Sequence, residues 1–238
     1  MCSHNSTPAF LLIVSLAMAS MASAEPRIGT TASTRPNAEG IMGADTRTLS
    51  AGSEVYANER VRTGNLGVAD LVFVDNTNLS VGPTSEVLLD KFVYDPTGSS
   101  GRVVFQATRG AFRFVTGSQA KHVYQVNTPY GTLGVRGTVV EIVLKPDIVR
   151  KVRPDECVAL LRLVEGGATY RTKTGKVAEL TQPGQVACIT PSGDVVYSFS
   201  SQSILTFEVA AQMPTTPPFI PGPGPTPVRP PPVSPTRP

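Results

Sequence analysis

Short segments in which apolar and polar residues alternate dominate the middle of the chain. The alternation has a period of two residues and not 3.6, which predicts strands that each turn one face toward a core. Turn residues such as Gly82-Pro83 and Ser192-Gly193 separate the segments. An all-β domain follows, for which a barrel, a sandwich and a solenoid all fit. The predicted strands are Ala69–Asp75, Asn78–Val81, Glu86–Tyr94, Val103–Gln106, Ala111–Val115, Val123–Val126, Thr138–Leu144, Val158–Val164, Val186–Ile189 and Val195–Phe199.

The two ends of the chain differ from this central region. An apolar run from Ala9 to Ala19, too short to span a bilayer, is followed by the small residues Ala22-Ser23-Ala24. Residues 1–24 are therefore predicted to be a secretory signal peptide that directs export to the periplasm. Residues 25–45 contain few apolar side chains and are predicted to be a disordered linker.

The C-terminal segment, residues 210–238, is rich in proline and is predicted to be a disordered, polyproline-II-like tail. Residues 46–209 then remain as one β domain. No other apolar run is long enough to cross a membrane, so no membrane span is expected in the mature form.

Two cysteines remain once a signal peptide is removed, Cys157 and Cys188. An even pair in an exported chain predicts a disulfide, although two buried free thiols would also fit. Cys2 precedes the apolar run, a position that excludes a lipid-modified cysteine.

Candidate chemistry is sparse. The formal net charge is +3 and no basic stripe is visible, which argues against nucleic-acid binding. His122 has no nucleophile beside it. Asp75 to Glu86 has the length of a calcium loop, but Leu79 and Ser80 occupy positions that need an oxygen ligand and a glycine. We therefore predict no catalytic site, no metal and no cofactor.

The most unusual segment runs from Tyr124 to Thr138 and carries glycines at 131, 134 and 137. It lacks the following helix of a dinucleotide fingerprint, so tight β corners are expected. Arg136 is predicted to hydrogen-bond neighbouring carbonyls, with anion binding as the alternative. The motif residues are Thr128, Pro129, Gly131, Gly134, Val135, Arg136, Gly137 and Thr138.

This motif resembles the signature of the FecR-like periplasmic domain, from the iron-dicitrate sensor family. Glu54–Gly64, Asp70–Ser85 and Arg109–Phe114 resemble its flanking elements. The resemblance implies a two-layered, sandwich-like β-solenoid. Sensors of this family also have a cytoplasmic anti-sigma segment and a membrane helix, and no part of this sequence resembles either.

The resemblance implies a non-enzymatic sensing or protein-interaction module of the cell envelope, with an envelope protein as partner. Peptidoglycan or polysaccharide binding is the alternative, because Tyr94 and Tyr130 lie beside turns where exposed aromatic rings would contact sugars. The oligomeric state is not indicated by the sequence.

Overall fold

The computed structural model describes residues 25–95, 101–144, 157–205 and 207, and this part of the chain is built from strands. One 3-10 turn, Lys121–Val123, is its only helical element, and none of the described helices is long and apolar enough to cross a membrane. The predicted all-β class is confirmed. The strands are β1 Arg27–Arg35, β2 Ala38–Met42, β3 Asp45–Thr48, β4 Glu54–Tyr56, β5 Arg60–Thr63, β6 Val68–Phe73, β7 Asn78–Val81, β8 Glu86–Val93, β9 Arg102–Val115, β10 Tyr124–Thr128, β11 Gly131–Leu144, β12 Ala159–Thr172, β13 Val177–Leu180, β14 Gln185–Ile189 and β15 Val195–Phe199.

The strands form one hydrogen-bonded network that folds over into two layers. Layer A has the order β4-β1-β6-β7-β9-β11-β12-β14-β15. Layer B has the order β3-β2-β5-β8-β9-β10-β11-β12-β13. The strands β9, β11 and β12 are 14 residues long and contribute one half to each layer.

A glycine with positive φ stands where each long strand passes between the layers. Gly110 has φ +99° in β9, Gly137 has φ +62° in β11, and Gly166 has φ +81° in β12. A side chain is strained in this region of backbone conformation, so glycine lets a strand turn sharply without ending. The pairing partners change at the same points, which is how one sheet becomes two facing layers.

The core fills the space between the layers. The Phe73 ring of layer A lies 5.3 Å from Phe92 and 5.0 Å from Phe105 of layer B, measured between ring centroids. Phe105 in turn meets Phe114 of layer A edge-on at 5.7 Å. These contacts across the layers confirm the two-layered architecture.

The prediction that residues 25–45 are disordered is wrong. β1 and β2 lie within this segment, where β1 pairs with β6 and β2 pairs with β5. Few apolar residues suffice because each strand buries only two or three positions, Ile28 and Ala38 among them. Hydrogen bonds to the neighbouring strands provide the remaining contacts. The domain therefore begins about twenty residues earlier than the predicted boundary at Thr46.

After β15 the chain turns onto the outer face of layer A. Glu141, which is 1% exposed, accepts hydrogen bonds there from the Ile204 amide at 3.0 Å and the Ser203 hydroxyl at 2.9 Å. Arg162 donates to the Ser200 carbonyl at 3.0 Å and pairs with Glu141 at 3.3 Å. The predicted signal peptide and proline-rich tail lie outside the described residues.

The predicted disulfide is confirmed. Cys157 and Cys188 are bonded, with Cα atoms 5.5 Å apart and a sequence separation of 31. The bond lies beside a second small apolar cluster on layer A that contains Val143, Leu160 and Ile204.

Replacing both cysteines by serine is expected to lower the free energy of unfolding by about 3–4 kcal/mol, because the closed loop no longer restricts the unfolded chain. Urea unfolding of the oxidised protein and of the double variant measures this difference. Dithiothreitol should reproduce the loss in the natural chain and leave the variant unchanged. Unfolding midpoints that coincide would contradict the expectation.

Candidate functional site

The signature forms a buried hairpin in layer B. β10 and β11 pair with Thr128 opposite Gly131, and Pro129 and Tyr130 form the connection. The Thr128 hydroxyl accepts hydrogen bonds from the amides of Tyr130 at 3.2 Å and Gly131 at 3.1 Å. It also shares a 2.7 Å hydrogen bond with the Tyr170 hydroxyl of β12. Thr128 thus fixes both the turn and its attachment to the next strand.

The three signature glycines have different surroundings. A methyl group at Gly131 would overlap the Arg171 carbonyl oxygen and crowd the Tyr170 ring, so this position has no space for a side chain. At Gly134 the nearest atom is 3.9 Å away, which is ordinary contact distance. At Gly137 only the side chain of Lys121 is near, at 3.0 Å. Positive φ, and not crowding, is therefore the main restriction at Gly137.

Thr138 ties the bend of β11 to its two neighbours. Its hydroxyl donates to the Gly167 carbonyl at 2.5 Å and accepts from the Arg136 amide at 3.1 Å. Its amide donates to the Thr116 hydroxyl at 2.9 Å. Val135 beside it is buried in the core. Thr138 thus stabilises the bend at which β11 passes from one layer to the other.

Arg136 does not cap carbonyls as predicted. It is exposed, and within the described residues its guanidinium makes no hydrogen bond or ion pair. The reason is the strand alternation: Leu133 and Val135 point into the core, which directs Arg136 to the outer face. Its charge is therefore available for an external contact.

Asp75 anchors the loop that leads into the signature. Its carboxylate accepts hydrogen bonds from the Tyr124 hydroxyl at 2.9 Å, Gln119 at 3.2 Å and the Thr77 hydroxyl at 2.8 Å. Its carbonyl accepts the Ser118 amide at 2.8 Å. Asp75 joins the β6–β7 turn of layer A to β10 of layer B.

Two buried tyrosines at the site make the stability of the protein depend on pH. Burial raises the pKa of Tyr124 to about 12, with the Asp75 charge as the next cause, and burial raises the pKa of Tyr170 to about 12 as well. Both groups stay neutral in the folded protein where the unfolded chain, with an ordinary value near 10, already ionises.

Stability is therefore expected to be complete below pH 10 and to fall as the pH rises from 10 toward 12. Each tyrosine contributes about 2–3 kcal/mol to this loss, at 1.36 kcal/mol per pKa unit. Unfolding by urea at pH 9, 10 and 11 measures it. The Tyr170→Phe variant should lose less stability across this range than the natural chain. An equal loss in both proteins would count against the assignment.

The outer face of layer B is polar along the signature. In the signature the outward side chains are Gln125, Asn127, Thr132 and Arg136, and they alternate with core residues. Asn127 accepts hydrogen bonds from Gln125 at 2.6 Å and Thr132 at 3.1 Å. We call this surface the layer B face.

Three arginines gather around one carboxylate at the N-terminal side of the layer B face. Glu86 lies 2.5 Å from Arg60, 3.2 Å from Arg62 and 3.5 Å from Arg109. Burial acts to raise the pKa of Glu86, but the hydrogen bonds and charges of Arg60 and Arg62 outweigh it and lower the pKa. One negative charge thus faces three guanidinium groups that are each nearly half exposed, so the cluster carries excess positive charge.

The layer B face is basic as a whole. Among the described residues its basic side chains outnumber its acidic ones by seven to four. The basic ones are Arg60, Arg62, Lys91, Arg102, Arg109, Arg136 and Arg171, and the acidic ones are Glu39, Glu86, Asp90 and Glu179.

The proposed glycan-contact tyrosines are not brought together. Tyr94 follows the end of β8, level with the start of β10, whereas Tyr130 follows the end of β10. About six residues of strand separate these levels, which corresponds to roughly 20 Å. Tyr130 also packs against the core. The two rings therefore do not line a common cleft.

Acidic side chains are usually solvated, but Glu59 and Asp70 are buried. Glu59 accepts hydrogen bonds from Arg47 at 2.7 Å and from the Tyr56 amide at 2.9 Å, and Asp70 accepts from Ser33 at 2.6 Å. Within the part of the chain that the structure describes, no group of three or more His, Cys, Asp or Glu residues is arranged to hold a metal ion.

Residues 59–166 match the family model described as "FecR protein", a range that encloses the signature and the bends of β9, β11 and β12. No curated protein matches the chain.

Two crystal structures of a putative anti-sigma factor from Parabacteroides distasonis ATCC 8503, at 2.50 Å and 1.65 Å resolution, resemble the chain at 12% sequence identity. Their TM-scores are 0.44 and 0.43, and 59% of this chain is covered in each comparison. The chain spans 59% of the length of those structures.

Proposed function

Because the chain contains a FecR-like domain, we propose that it is an exported, non-enzymatic module of the cell envelope that senses or signals by binding another protein. The observation that carries the proposal is that some residues of the signature stabilise the backbone while others lie on the outer surface. Thr128 and Gly131 hold the hairpin turn, and Gly137 and Thr138 hold the bend between the layers. Asn127, Thr132 and Arg136 lie on the outer surface. Small-molecule sites are concave clefts that enclose their ligand, whereas these side chains lie on the outer surface of a sheet, which suits recognition of another protein better.

The charge of the layer B face indicates the chemistry of the partner. The cluster at Glu86 and the exposed side chains of Arg136 and Arg171 give the face an excess of guanidinium groups. Arginine is favoured in interfaces because its planar fork binds carboxylates in two places. The partner is therefore proposed to be an envelope protein with an acidic surface.

The use of the buried carboxylates supports a binding role over catalysis. Glu59, Asp75 and Glu141 each accept hydrogen bonds from groups that hold neighbouring segments in place. None of them faces an open cleft with an adjacent nucleophile. An acid or base that acts on a substrate needs hydrogen-bond access to that substrate.

The disulfide supports the proposed location. Disulfides persist in oxidising compartments such as the bacterial periplasm and are rare in the cytosol. The Cys157–Cys188 bond accords with periplasmic export of the chain. Sequencing the N-terminus of the envelope-associated form tests this point, with Glu25 as the expected first residue.

An affinity experiment with charge-reversal variants tests the proposed interaction. The full chain, Arg136→Glu and Lys173→Glu are immobilised and exposed to envelope extract at low and high salt. Arg136 lies on the layer B face, whereas Lys173 is exposed in the turn between β12 and β13. Capture of a specific protein should fall about tenfold with Arg136→Glu and at high salt, and should persist with Lys173→Glu.

Two outcomes would overturn the proposal. One is equal capture by all three proteins. The other is sedimentation of the natural chain with purified peptidoglycan that is lost in Tyr94→Ala or Tyr130→Ala, together with no protein capture. The second result would establish the glycan-binding alternative.

A further inference from the structure

The last strand of layer A leaves one edge unpaired within the described residues. β15 pairs with β14 only, with Val195 opposite Ile189 and Phe199 opposite Gln185. The Thr190 amide donates to the Asp194 carbonyl and the Ser200 amide to the Gly184 carbonyl, at the two ends of this ladder. Because antiparallel pairs alternate, the amides and carbonyls of Val195, Tyr197 and Phe199 point away from β14.

The exposed edge is apolar. Val196 is 55% exposed, Tyr197 46% and Phe199 66%. The strand contains no charged residue and no proline between Val195 and Phe199. It therefore lacks the charges and prolines with which natural proteins often block pairing at a sheet edge.

The other edges of the two layers carry such protection. In β13 the Glu179 amide donates to the Tyr197 hydroxyl at 3.0 Å, and the Glu179 carbonyl accepts from Gln185 at 3.2 Å. At the opposite end of the sandwich, Arg47 donates to the Glu54 carbonyl of β4 at 2.5 Å. β3 itself carries Asp45 and Arg47. Among the strand edges that the structure describes, the edge of β15 combines backbone groups without a strand partner and apolar side chains.

We propose that the edge of β15 pairs with β15 of a second copy of this chain, antiparallel and related by a two-fold axis at Tyr197. In this register Tyr197 faces its own equivalent and Val195 faces Phe199, so all three outward-pointing residues of each copy meet outward-pointing residues of the other. Six backbone hydrogen bonds would form about the axis. A two-fold contact of this kind is self-complementary and closed.

The charges around β15 favour a second copy as the occupant. An uncharged strand meets its own equivalent without like-charge repulsion, and Asp194 at one end would lie opposite the uncharged Ser200 of the partner copy. Lys176 already pairs with Asp194 in the same chain, which neutralises that end of the edge further. Two layer A sheets would thereby continue into each other.

Sedimentation velocity of the full chain over a range of concentrations tests the pairing. We expect a reversible shift from monomer to dimer. Phe199→Pro removes an amide that points away from β14 and keeps the β14–β15 ladder, so it should raise the dimer dissociation constant at least about tenfold. Phe199→Ala retains the amide and should raise it less, by about threefold or below.

A second pair of variants covers the case in which Phe199→Pro fails to fold. Val196→Lys places two like charges close to the two-fold axis and should also weaken the dimer about tenfold, whereas Val177→Lys on β13 should not. A chain that stays monomeric at the highest concentration, or a dimer unaffected by Phe199→Pro and Val196→Lys, would overturn the inference. Because Arg136→Glu leaves this edge intact, loss of partner binding and loss of the dimer can be told apart.

Discussion

Replacing Gly166 by alanine is expected to lower the free energy of unfolding by at least about 3 kcal/mol. The residue has φ +81°, where a side chain is strained, and the added methyl group would overlap the Gly137 carbonyl oxygen. Because that oxygen belongs to the backbone of the neighbouring bend, β11 and β12 would both have to shift. Urea unfolding followed by circular dichroism measures the loss.

Gly134→Ala is the matched control for this prediction. Gly134 lies in the same sheet, has no positive φ, and has 3.9 Å of space to the nearest atom. The change should alter stability by less than about 1 kcal/mol, and the lower entropy of the unfolded chain acts in its favour. Equal losses for the two variants would show that the bend at Gly166 does not hold the layers in place.

The second large effect is expected for Asp75→Ala, with a loss of about 3–5 kcal/mol. The change removes a buried carboxylate and leaves the Tyr124 hydroxyl and the Gln119 amide without their acceptor. The loop from Thr116 to Ala120 should then detach from the β6–β7 turn. Hydrogen exchange should show faster exchange at Ser118, whose amide donates to the Asp75 carbonyl.

Asp90→Ala provides the comparison. Asp90 accepts a single exposed hydrogen bond from Gln106 at 2.8 Å, so its loss should change stability by no more than about 0.5 kcal/mol. If Asp75→Ala unfolds at the same urea concentration as Asp90→Ala, the Asp75 network does not stabilise the fold.

Period-two alternation was sufficient to predict the fold class and, at least in part, the strands β6 to β12, β14 and β15. The predicted limits of Asn78–Val81 and Val195–Phe199 are those of β7 and β15. The pattern could not distinguish a glycine in a turn from a glycine at a bend within a strand. Arg109-Gly110 and Gly166-Gly167 look like turns in the sequence, yet both lie inside continuous strands, because a glycine with positive φ serves a hairpin and a bend equally well.

Contacts between residues that are far apart in the sequence could not be predicted either. Glu59 and Asp70 look like residues of a solvated face, and only the fold brings Arg47 and Ser33 to them. β1 and β2 were missed because low apolar content indicates disorder unless a neighbouring strand completes the pairing. The outward direction of Arg136, by contrast, follows from the same alternation that places Leu133 and Val135 in the core. The outward side chains of the layer B face could therefore have been predicted from the sequence.

Photo-cross-linking in the intact cell tests most directly whether the layer B face binds a protein. A photoreactive residue is placed at Asn127 or Thr132 on that face, and at Glu165 or Ser192 as exposed positions away from it. The account predicts that the first two positions form one adduct with the same envelope protein and that the adduct is lost with Arg136→Glu. Adducts of equal yield from all four positions, or none from Asn127 and Thr132, would contradict it.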